Sequence, residues 1–374
     1  MKKLILLFFT LSFTLFVQSQ VSKTVNLTTA GTLSTLLTPT ELNTVTNLTI
    51  TGNLNACDFV TMRDNMPLLA VLDISNVTIS AYTGALGTAG TTSTTYPANE
   101  IPESAFLSPI SYDAKITLKN ITLPSSVSSI GGGAFFYCTG LTSLIIPNSV
   151  TSIGNNAFCL CSGLTGLTIG NSVTSIGYAA FGLCSGLTGS LIIPNSVTSI
   201  GSDAFNDCTG LISVTIPNSV TSIGGSAFEF CTGLTSIYSY STLPLDLSSS
   251  TNVFNGLDAT TCTLYVPEGS KSAYQTANQW KDFLNIVETA NLTALPSITN
   301  ASISLYPNPT PDYFQVSGID AYALITMKDL NGKTLFTKQI NSCDKIDINY
   351  LSKGIYMIEV NTGEGIIIKK IIKN

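Results

Sequence analysis

The chain has 374 residues, of which 44% are apolar and only 10% are charged, and it contains no histidine. The absence of histidine excludes Ser-His-Asp and Cys-His triads and zinc sites with histidine ligands, and the sequence predicts no cofactor. Residues 21–300 hold six basic side chains against 15 acidic ones, with none basic between Lys119 and Lys271. This part therefore lacks the basic surface that nucleic acids or anionic membranes require.

The first 20 residues have the order of a secretory signal peptide. Lys2 and Lys3 precede an apolar run from Leu4 to Val17, and a short polar exit follows at residues 18–20. The run is short for a bilayer span, and no second long apolar segment follows it. We predict that residues 1–20 are removed on export and that no membrane span remains; a retained N-terminal anchor is the alternative.

Residues 21–122 contain units that repeat only loosely. Residues 46–79 fit a strand, a helix and a second strand, and residues 101–106 (IPESAF) look like a degenerate repeat start. The Gly/Thr/Ser-rich stretch Tyr82–Tyr96 is predicted to be a loop inserted between units. The apolar residues of the strand–helix–strand unit that we expect to face inward are Leu48, Ile50, Phe59, Met62, Met66, Leu69, Leu72 and Ile74.

Residues 123–240 contain five copies of one sequence unit, of which the second begins IPNSVTSIGNNAFCLC (146–161). The phenylalanines of the five copies are Phe135, Phe158, Phe181, Phe205 and Phe228. They are separated by 23, 23, 24 and 23 residues, and one extra residue within Gly189-Ser190 explains the longer step. Stacked units bury their apolar positions as continuous ladders, which a single unit cannot do. The Ile-Gly step in each unit suits a tight corner where a Cβ would clash.

The pattern I-P-x-S-V-T-S-I-G-x-x-A-F-x-x-C-x-G-L in these copies closely resembles the BspA-like branch of leucine-rich repeats. The resemblance implies a solenoid that is mostly β with short helices. Within residues 241–288, the stretch Leu264–Glu288 resembles the closing segment of that family, in which a strand leads to a helix. Its aromatic residues Tyr274, Trp280 and Phe283, together with Ala273, are expected to cap the last open repeat.

The C-terminal part of the chain differs in character from the repeats. Residues 289–300 are predicted to be a linker, and residues 301–374 alternate like about seven short strands, which favours a small β-sandwich. Three motifs in this part resemble, in order, the C-terminal sorting domain of type IX secretion in the Bacteroidota. They are LYPNPTPDYFQV (305–316), LSKGIYMIEV (351–360) and KKIIKN (369–374). The resemblance implies that the type IX machinery exports the chain through residues 301–374. The protein would then be secreted or attached to the outer-membrane surface; an ordinary β-sandwich binding module is the alternative.

The cysteines also follow the repeat period, at Cys138, Cys161, Cys184, Cys208 and Cys231. Each repeat forms one rung of the solenoid, and equivalent Cα atoms of adjacent rungs are expected to lie about 4.8 Å apart. This distance falls within the Cα–Cα range of a disulfide, so a disulfide between adjacent rungs stays an alternative. Ladder side chains point in parallel, so we predict buried thiols. Cys159 occupies a position that varies between the copies, and we expect it to be exposed. No metal site is predicted, because Cys159-Leu160-Cys161 is too isolated to bind zinc.

Carboxylates are sparse in the repeats, and the sequence predicts no catalytic residue. Asp203 and Asp207 share the outer turn of one unit, and a glycosidase needs two carboxylates a few ångströms apart in a cleft. A solvated turn is the simpler interpretation of the pair. Residues 130–133 (IGGG) form a repeat corner rather than a phosphate-binding loop, because no GK[ST] follows.

The strand run after each Gly-Leu offers a candidate binding face. Alternation places Leu144 and Ile146 inside and their neighbours outside. The outward residues predicted to form this face are Thr142, Ser143, Ile145, Thr165, Thr168, Thr188, Ile192, Ile212, Thr215, Thr235 and Tyr238. Such a regular Thr/Ser/Ile surface is suited to an extended partner, although it lacks Arg and Trp. A merely solvated sheet face is an equal alternative.

These features predict a non-catalytic protein-binding or adhesion module that is secreted or held at the cell surface. The resemblance implies host, matrix or bacterial surface proteins or glycans as partners, in addition to the type IX machinery. A structural surface-layer spacer is the main rival hypothesis. A polysaccharide-active enzyme and an ice-binding face are lesser ones.

Overall fold

The computed structural model describes residues 20–374 apart from 91, 290–302, 318–321, 330–332, 342–343 and 362–365. The predicted signal peptide apart from Gln20, most of the predicted linker and Cys343 therefore lie outside the described residues. Residues from Val25 to Ile286 contribute to one continuous apolar core, as expected for a solenoid. No helix in the described ranges combines the length and the apolar character that crossing a bilayer requires.

The solenoid begins with three parallel strands that are joined by short helices. The strands are β1 (Ser22–Leu27), β2 (Asn47–Leu54) and β3 (Val71–Ile79). The helices are α1 (Leu33–Leu36), α2 (Pro39–Thr44) and α3 (Ala56–Val60), and α3 continues as a π-helical turn over Thr61–Asn65. All eight residues expected to face inward are buried, which confirms the strand–helix–strand prediction.

A buried carboxylate fastens the segment before α1 to the start of α3. Asp58 accepts hydrogen bonds from the backbone N–H groups of Gly31 (2.7 Å), Leu33 (2.9 Å) and Asn55 (2.9 Å). Burial raises the pKa of Asp58, and these three donors oppose that shift. The carboxylate thus satisfies N–H groups that would otherwise be buried without partners.

The inserted stretch Tyr82–Tyr96 is a short antiparallel hairpin and not only a loop. It contains β4 (Tyr82–Gly84) and β5 (Thr94–Tyr96), whose end residues Tyr82 and Tyr96 pair across the strands with ring centroids 6.1 Å apart. Cross-strand aromatic pairs stabilise such ribbons. The composition of the stretch did not reveal this pairing, because Thr and Gly dominate it.

One buried arginine anchors the insertion to the solenoid. The Arg63 guanidinium donates to the backbone carbonyls of Thr88 (2.9 Å), Ser104 (3.0 Å) and Leu107 (3.1 Å). It also forms an ion pair with Asp64 at 2.7 Å. A single side chain in the first repeats therefore contacts both the inserted stretch, at Thr88, and the rung that follows it, at Ser104 and Leu107.

Each regular repeat adds a strand to one parallel sheet, the front sheet, and a two-residue strand to a second, the back sheet. The front strands are β7 (Asn120–Thr122), β9 (Ser143–Ile145), β11 (Gly166–Thr168), β13 (Gly189–Ile192), β15 (Leu211–Ile216) and β17 (Ser236–Ser239). The back strands are β6 (Glu100–Ile101), β8 (Ser129–Ile130), β10 (Ser152–Ile153), β12 (Ser175–Ile176), β14 (Ser199–Ile200) and β16 (Ser222–Ile223). Each back strand from β8 to β16 is followed by the predicted Ile-Gly corner, whereas Pro102 follows β6. A Cβ on Gly154 would lie 2.7 Å from the backbone nitrogen of Gly132, so a larger residue would clash.

The repeat phenylalanines form the predicted ladder in the core. Phe135, Phe158, Phe181, Phe205 and Phe228 are fully buried. Their successive ring centroids lie 4.9, 5.2, 5.4 and 5.4 Å apart with interplanar angles of 4–6°. Phe106 extends the stack at one end and Phe254 at the other. The ladder therefore shows that residues 101–106 occupy a genuine rung.

The front sheet is interrupted where the repeat is one residue longer. Its first part has the order β1-β2-β3-β7-β9-β11, and the second part begins at β13. A register irregularity lies at Gly189-Ser190, and Gly189 has a φ of +82°. The back sheet runs without a break from β6 to β16. The extra residue is thus absorbed by the front sheet alone.

Aromatic side chains cover the last rung of the solenoid. After β17 come β18 (Thr263–Pro267), α4 (Lys271–Tyr274), a 3-10 turn over Trp280–Asp282 and β19 (Asn285–Thr289). Trp280 lies 5.0 Å from Phe254 and Phe283 lies 5.5 Å from it, measured between ring centroids. The indole N–H of Trp280 donates to the carbonyl of Leu245 at 2.9 Å. These contacts close the phenylalanine ladder against water.

The C-terminal part is rich in antiparallel strands, as predicted. Its described residues form seven strands, which are β20 (Ser304–Tyr306), β21 (Tyr313–Ser317), β22 (Tyr322–Lys328), β23 (Thr334–Asn341), β24 (Ile346–Asp347), β25 (Gly354–Asn361) and β26 (Ile366–Lys373). They form a three-stranded sheet, β20-β21-β24, and a four-stranded sheet, β23-β22-β25-β26. A separate apolar core includes Phe314 of the first sheet and Ile325 and Ile358 of the second.

Candidate binding face

The predicted face is a set of parallel columns on the outside of the front sheet. The first column has Thr142, Thr165, Thr188, Ile212 and Thr235, all of which are exposed. The next has the exposed Ser143, and beyond it lies the column of Ile145, Thr168, Ile192, Thr215 and Tyr238, which are exposed or half-buried. Leu144 and Ile146 point into the core. The structure thus brings the predicted residues together on one surface, although the break after β11 divides them into two groups.

The threonine hydroxyls of the first column are already engaged within the solenoid. Thr165 donates to the carbonyl of Thr142 (3.0 Å), and Thr188 donates to that of Thr165 (3.3 Å). Thr235 donates in the same way to Ile212 (3.2 Å). Because each hydroxyl proton is used in this ladder, the column presents acceptor lone pairs to an incoming partner.

Two parts of this surface were not predicted from the sequence. Ser213 donates to the Ser190 hydroxyl at 2.8 Å, so the column that contains Ser143 continues beyond the break in the sheet. Tyr265 of β18 stacks on Tyr238 with ring centroids 4.7 Å apart and an interplanar angle of 8°. The same alternation, applied to the strand that contains Leu264, would have identified Tyr265. It was missed because that strand was assigned only to the cap.

The five cysteines of the ladder are buried free thiols, as predicted. Four of them donate to a phenylalanine carbonyl of the preceding rung; for example, the Sγ of Cys184 lies 3.1 Å from the oxygen of Phe158. Burial raises the pKa of Cys138, Cys184 and Cys231 to about 12. These thiols satisfy the core carbonyls and lack the thiolate character that reactivity requires.

The prediction that Cys159 is exposed is wrong. The residue is 6% exposed, and burial raises its pKa to about 11. Its position varies between copies, but it lies in a column of stacked turns, where the turns on either side cover a small side chain. Variability between repeats was therefore a poor guide to exposure.

Three acidic residues, Asp203, Asp207 and Glu229, lie on two neighbouring outer turns. Asp203 and Asp207 both have left-handed backbone conformations in one turn. Partial burial and the negative charge of Glu229 raise the pKa of Asp203. Among the described residues, no group of three or more acidic, cysteine or histidine side chains is arranged to hold a metal ion.

Comparison with known proteins identifies two regions of the chain. The family model of the BspA type leucine rich repeat region matches residues 99–235 and 185–251, with six copies. The model of the secretion system C-terminal sorting domain matches residues 304–374. No curated protein matches the chain.

Several solved structures of bacterial leucine-rich repeat proteins are similar to it. A leucine-rich repeat protein of T. pallidum is 27% identical over 49% of this chain and 78% of its own, with a TM-score of 0.36. A leucine rich cell surface protein of Faecalibacterium prausnitzii is 26% identical over 46% and 60%, with a TM-score of 0.33. One from Bacteroides ovatus is 22% identical over 60% and 64%, with a TM-score of 0.31. The present chain spans less than two thirds of the last two proteins.

The sorting domain at residues 304–374 marks the protein for type IX export, followed by secretion or attachment to the cell surface. The chain therefore contains a leucine-rich repeat region of the BspA type over residues 99–251 and a C-terminal type IX sorting domain over residues 304–374.

Proposed function

We propose that the solenoid is a non-catalytic binding or adhesion module and that its partner binds to the outer side of the front sheet. The observation that supports this most is the regular, uncharged surface between Thr142 and Tyr238, which repeats with every rung. Solenoids commonly use such extended surfaces for binding. The stacked pair of Tyr238 and Tyr265 supplies the kind of aromatic anchor that dominates binding energy in interfaces.

The chemistry of this face favours a neutral partner that offers hydrogen-bond donors. The threonine hydroxyls present acceptor lone pairs, and the columns from β9 to β17 hold no charged side chain. Host, matrix or bacterial surface proteins and glycans all carry suitable N–H or O–H groups. Attraction to such a partner would depend little on salt, because no charges are screened.

We further propose that successive segments of the chain have different roles. Residues 1–20 direct export from the cytoplasm, 21–122 form the drifted first repeats, 123–240 the regular repeats and 241–288 their C-terminal cap. Residues 289–300 link this unit to the sorting domain at 301–374. In this division, only residues 21–288 contact the partner.

The proposal is tested with two double variants that differ only in the face they change. Thr165→Lys/Thr188→Lys places charges on the front sheet. Thr174→Lys/Thr198→Lys does the same beside the back sheet, where these exposed hydroxyls donate to carbonyls one rung back in the same way. Binding of the mature protein to arrays of matrix proteins and glycans is compared. We expect the front variant alone to lose its ligands, and equal binding by both variants would exclude the front sheet.

A further inference from the structure

A second surface of the solenoid carries apolar side chains in an unusual backbone conformation. Two residues after each ladder phenylalanine, the chain has Tyr137, Leu160, Leu183, Asp207 and Phe230, which we call the outer stripe. All five have positive φ, at 57°, 64°, 60°, 55° and 56° respectively. The same position in the next rung is Gly256, with a φ of +78°.

The turn itself does not explain the choice of these residues. The backbone N–H of each stripe residue donates to a carbonyl of the following rung, as from Leu183 to Asn206 (2.7 Å) and from Phe230 to Asn255 (2.8 Å). This bond needs the left-handed turn but makes no use of the side chain. Gly and Asn adopt that conformation more readily than Tyr, Leu or Phe. The strained conformation recurs in the four rungs that carry Tyr or Leu or Phe at this position. Strained backbone of this kind is typical of functional sites.

Three of the five side chains of the stripe are exposed to solvent, and those of Leu160 and Asp207 are half-buried. Tyr137 and Phe230 are each 47% exposed and Leu183 is 39% exposed. The stripe is about 20 Å long, since it advances by one rung of about 5 Å four times. Such a length matches about six residues of an extended chain.

Exposed apolar side chains also follow the rung that precedes the stripe. Phe106 stacks on Phe135 at 5.1 Å, so the stripe position of that rung is Ser108, which is buried. The residues just after it include Ile110 and Tyr112, which are 68% and 80% exposed. An exposed row of large apolar side chains marks an interaction surface more often than chance exposure does.

The charge around the stripe indicates what kind of partner fits it. Asp207 lies within the stripe, and its backbone N–H donates to the carbonyl of Glu229 at 2.8 Å. Asp203 lies in the same turn, close enough to Glu229 for the two charges to repel. No Lys or Arg occurs between Lys119 and Lys271 to neutralise these carboxylates. A bound cation of the partner would relieve that repulsion.

We propose that the outer stripe is a docking surface for an extended protein segment in which Lys or Arg alternates with aliphatic or aromatic residues. Apolar side chains of the segment pack on Tyr137, Leu183 and Phe230, while its cations face Asp207 and Glu229. This surface lies on the outer turns and not on the front sheet, so it is independent of the function proposed above.

The left-handed conformation provides a sharp test, because Asn suits it better than Leu or Phe. In the mature chain, Leu183→Asn/Phe230→Asn removes apolar contacts without changing the net charge. The melting temperature should stay equal to that of the parent or rise. The matched control is Ile145→Asn/Ile212→Asn, which removes two side chains that are each 52% exposed on the front sheet.

The probe is a synthetic peptide of alternating Lys and Leu, and its affinity is measured by fluorescence anisotropy. We expect the stripe variant to bind about tenfold more weakly, and the front-sheet control to stay within about twofold of the parent. Asp207→Asn should weaken binding and flatten its salt dependence, since one ionic contact is lost. Peptides of alternating Glu and Leu, or Lys and Ser, should bind poorly.

Four results would overturn the proposal. They are unchanged binding by the stripe variant, an equal loss in the front-sheet control, equal binding of the Glu–Leu peptide, and stripe-dependent dimers of the parent in light scattering. The last would assign the surface to a second copy of the chain. None of these results bears on the front-sheet test with lysine variants, so the two proposals fail separately.

Discussion

The phenylalanine ladder predicts that two aromatic residues of the same repeat differ greatly in their effect on stability. Phe228 is fully buried between Phe205 (5.4 Å) and Phe254 (6.0 Å), whereas Phe230, two residues later, is 47% exposed. Replacing a buried Phe by Ala costs about 3–5 kcal/mol, which includes the lost ring stacking and the cavity left behind. An exposed substitution changes the free energy of unfolding by about 0.5 kcal/mol or less.

Fluorescence of the single tryptophan measures this difference within the full mature chain. Trp280 is 1% exposed and contacts Phe254, while the sorting domain contains no tryptophan. The signal therefore reports on the solenoid alone. We expect Phe228→Ala to lower the urea midpoint by about 1–2 M. Phe230→Ala should leave it nearly unchanged.

The reasoning would be refuted if the two variants had the same midpoint, or if Phe228→Ala lost less than about 1 kcal/mol. Far-UV circular dichroism of the same samples shows whether the repeats unfold together. Separate transitions would mean that the mutation uncouples neighbouring rungs, as nearest-neighbour coupling in solenoids allows.

Three further predictions concern individual polar groups. Raising the pH from 9 towards 12 should lower stability in urea melts, because Cys184 stays protonated when folded, with a pKa of about 12, and ionises when unfolded; Cys184→Ala should make that slope shallower, and an unchanged slope would contradict the assignment. Asp58→Ala should cost about 2–4 kcal/mol in thermal melts, because three backbone donors lose their acceptor; a loss below about 1 kcal/mol would argue against this role. Arg63→Lys should speed chymotrypsin cleavage after the exposed Tyr112 with an unchanged circular dichroism spectrum, since the guanidinium holds the carbonyls of Ser104 and Leu107 just before that segment; equal cleavage rates would show that other contacts hold it.

Much of the fold was predictable because each repeat carries the same local pattern. The steps of 23 and 24 residues between phenylalanines predicted the core ladder, and the Ile-Gly corner predicted a site without room for a Cβ. Alternation along the strand run also predicted which residues of the candidate face point outward. These inferences needed only short-range periodicity, which every copy repeats.

The errors arose where a residue's surroundings belong to other rungs. Cys159 is buried by the turns stacked beside it, although its position varies between copies. Tyr265 stacks on Tyr238 from a strand that lies outside the regular repeats. The left-handed conformation of Leu183 and Phe230 is invisible in the pattern, because the sequence shows a Leu and a Phe where a Gly or Asn would be expected.

The amino-acid sequence by itself determined the repeat architecture, the buried ladders and the C-terminal sorting domain. Periodic apolar positions can be satisfied only by stacking, and the motifs of the sorting domain are contiguous in the chain. Only the tertiary structure decided that the extra residue at Gly189-Ser190 divides the front sheet while the back sheet stays continuous. It also placed the exposed apolar stripe on the outer turns. Both features depend on how successive turns pack against one another. The contacts involved join residues about 23 positions apart, so the sequence of a single repeat does not determine them.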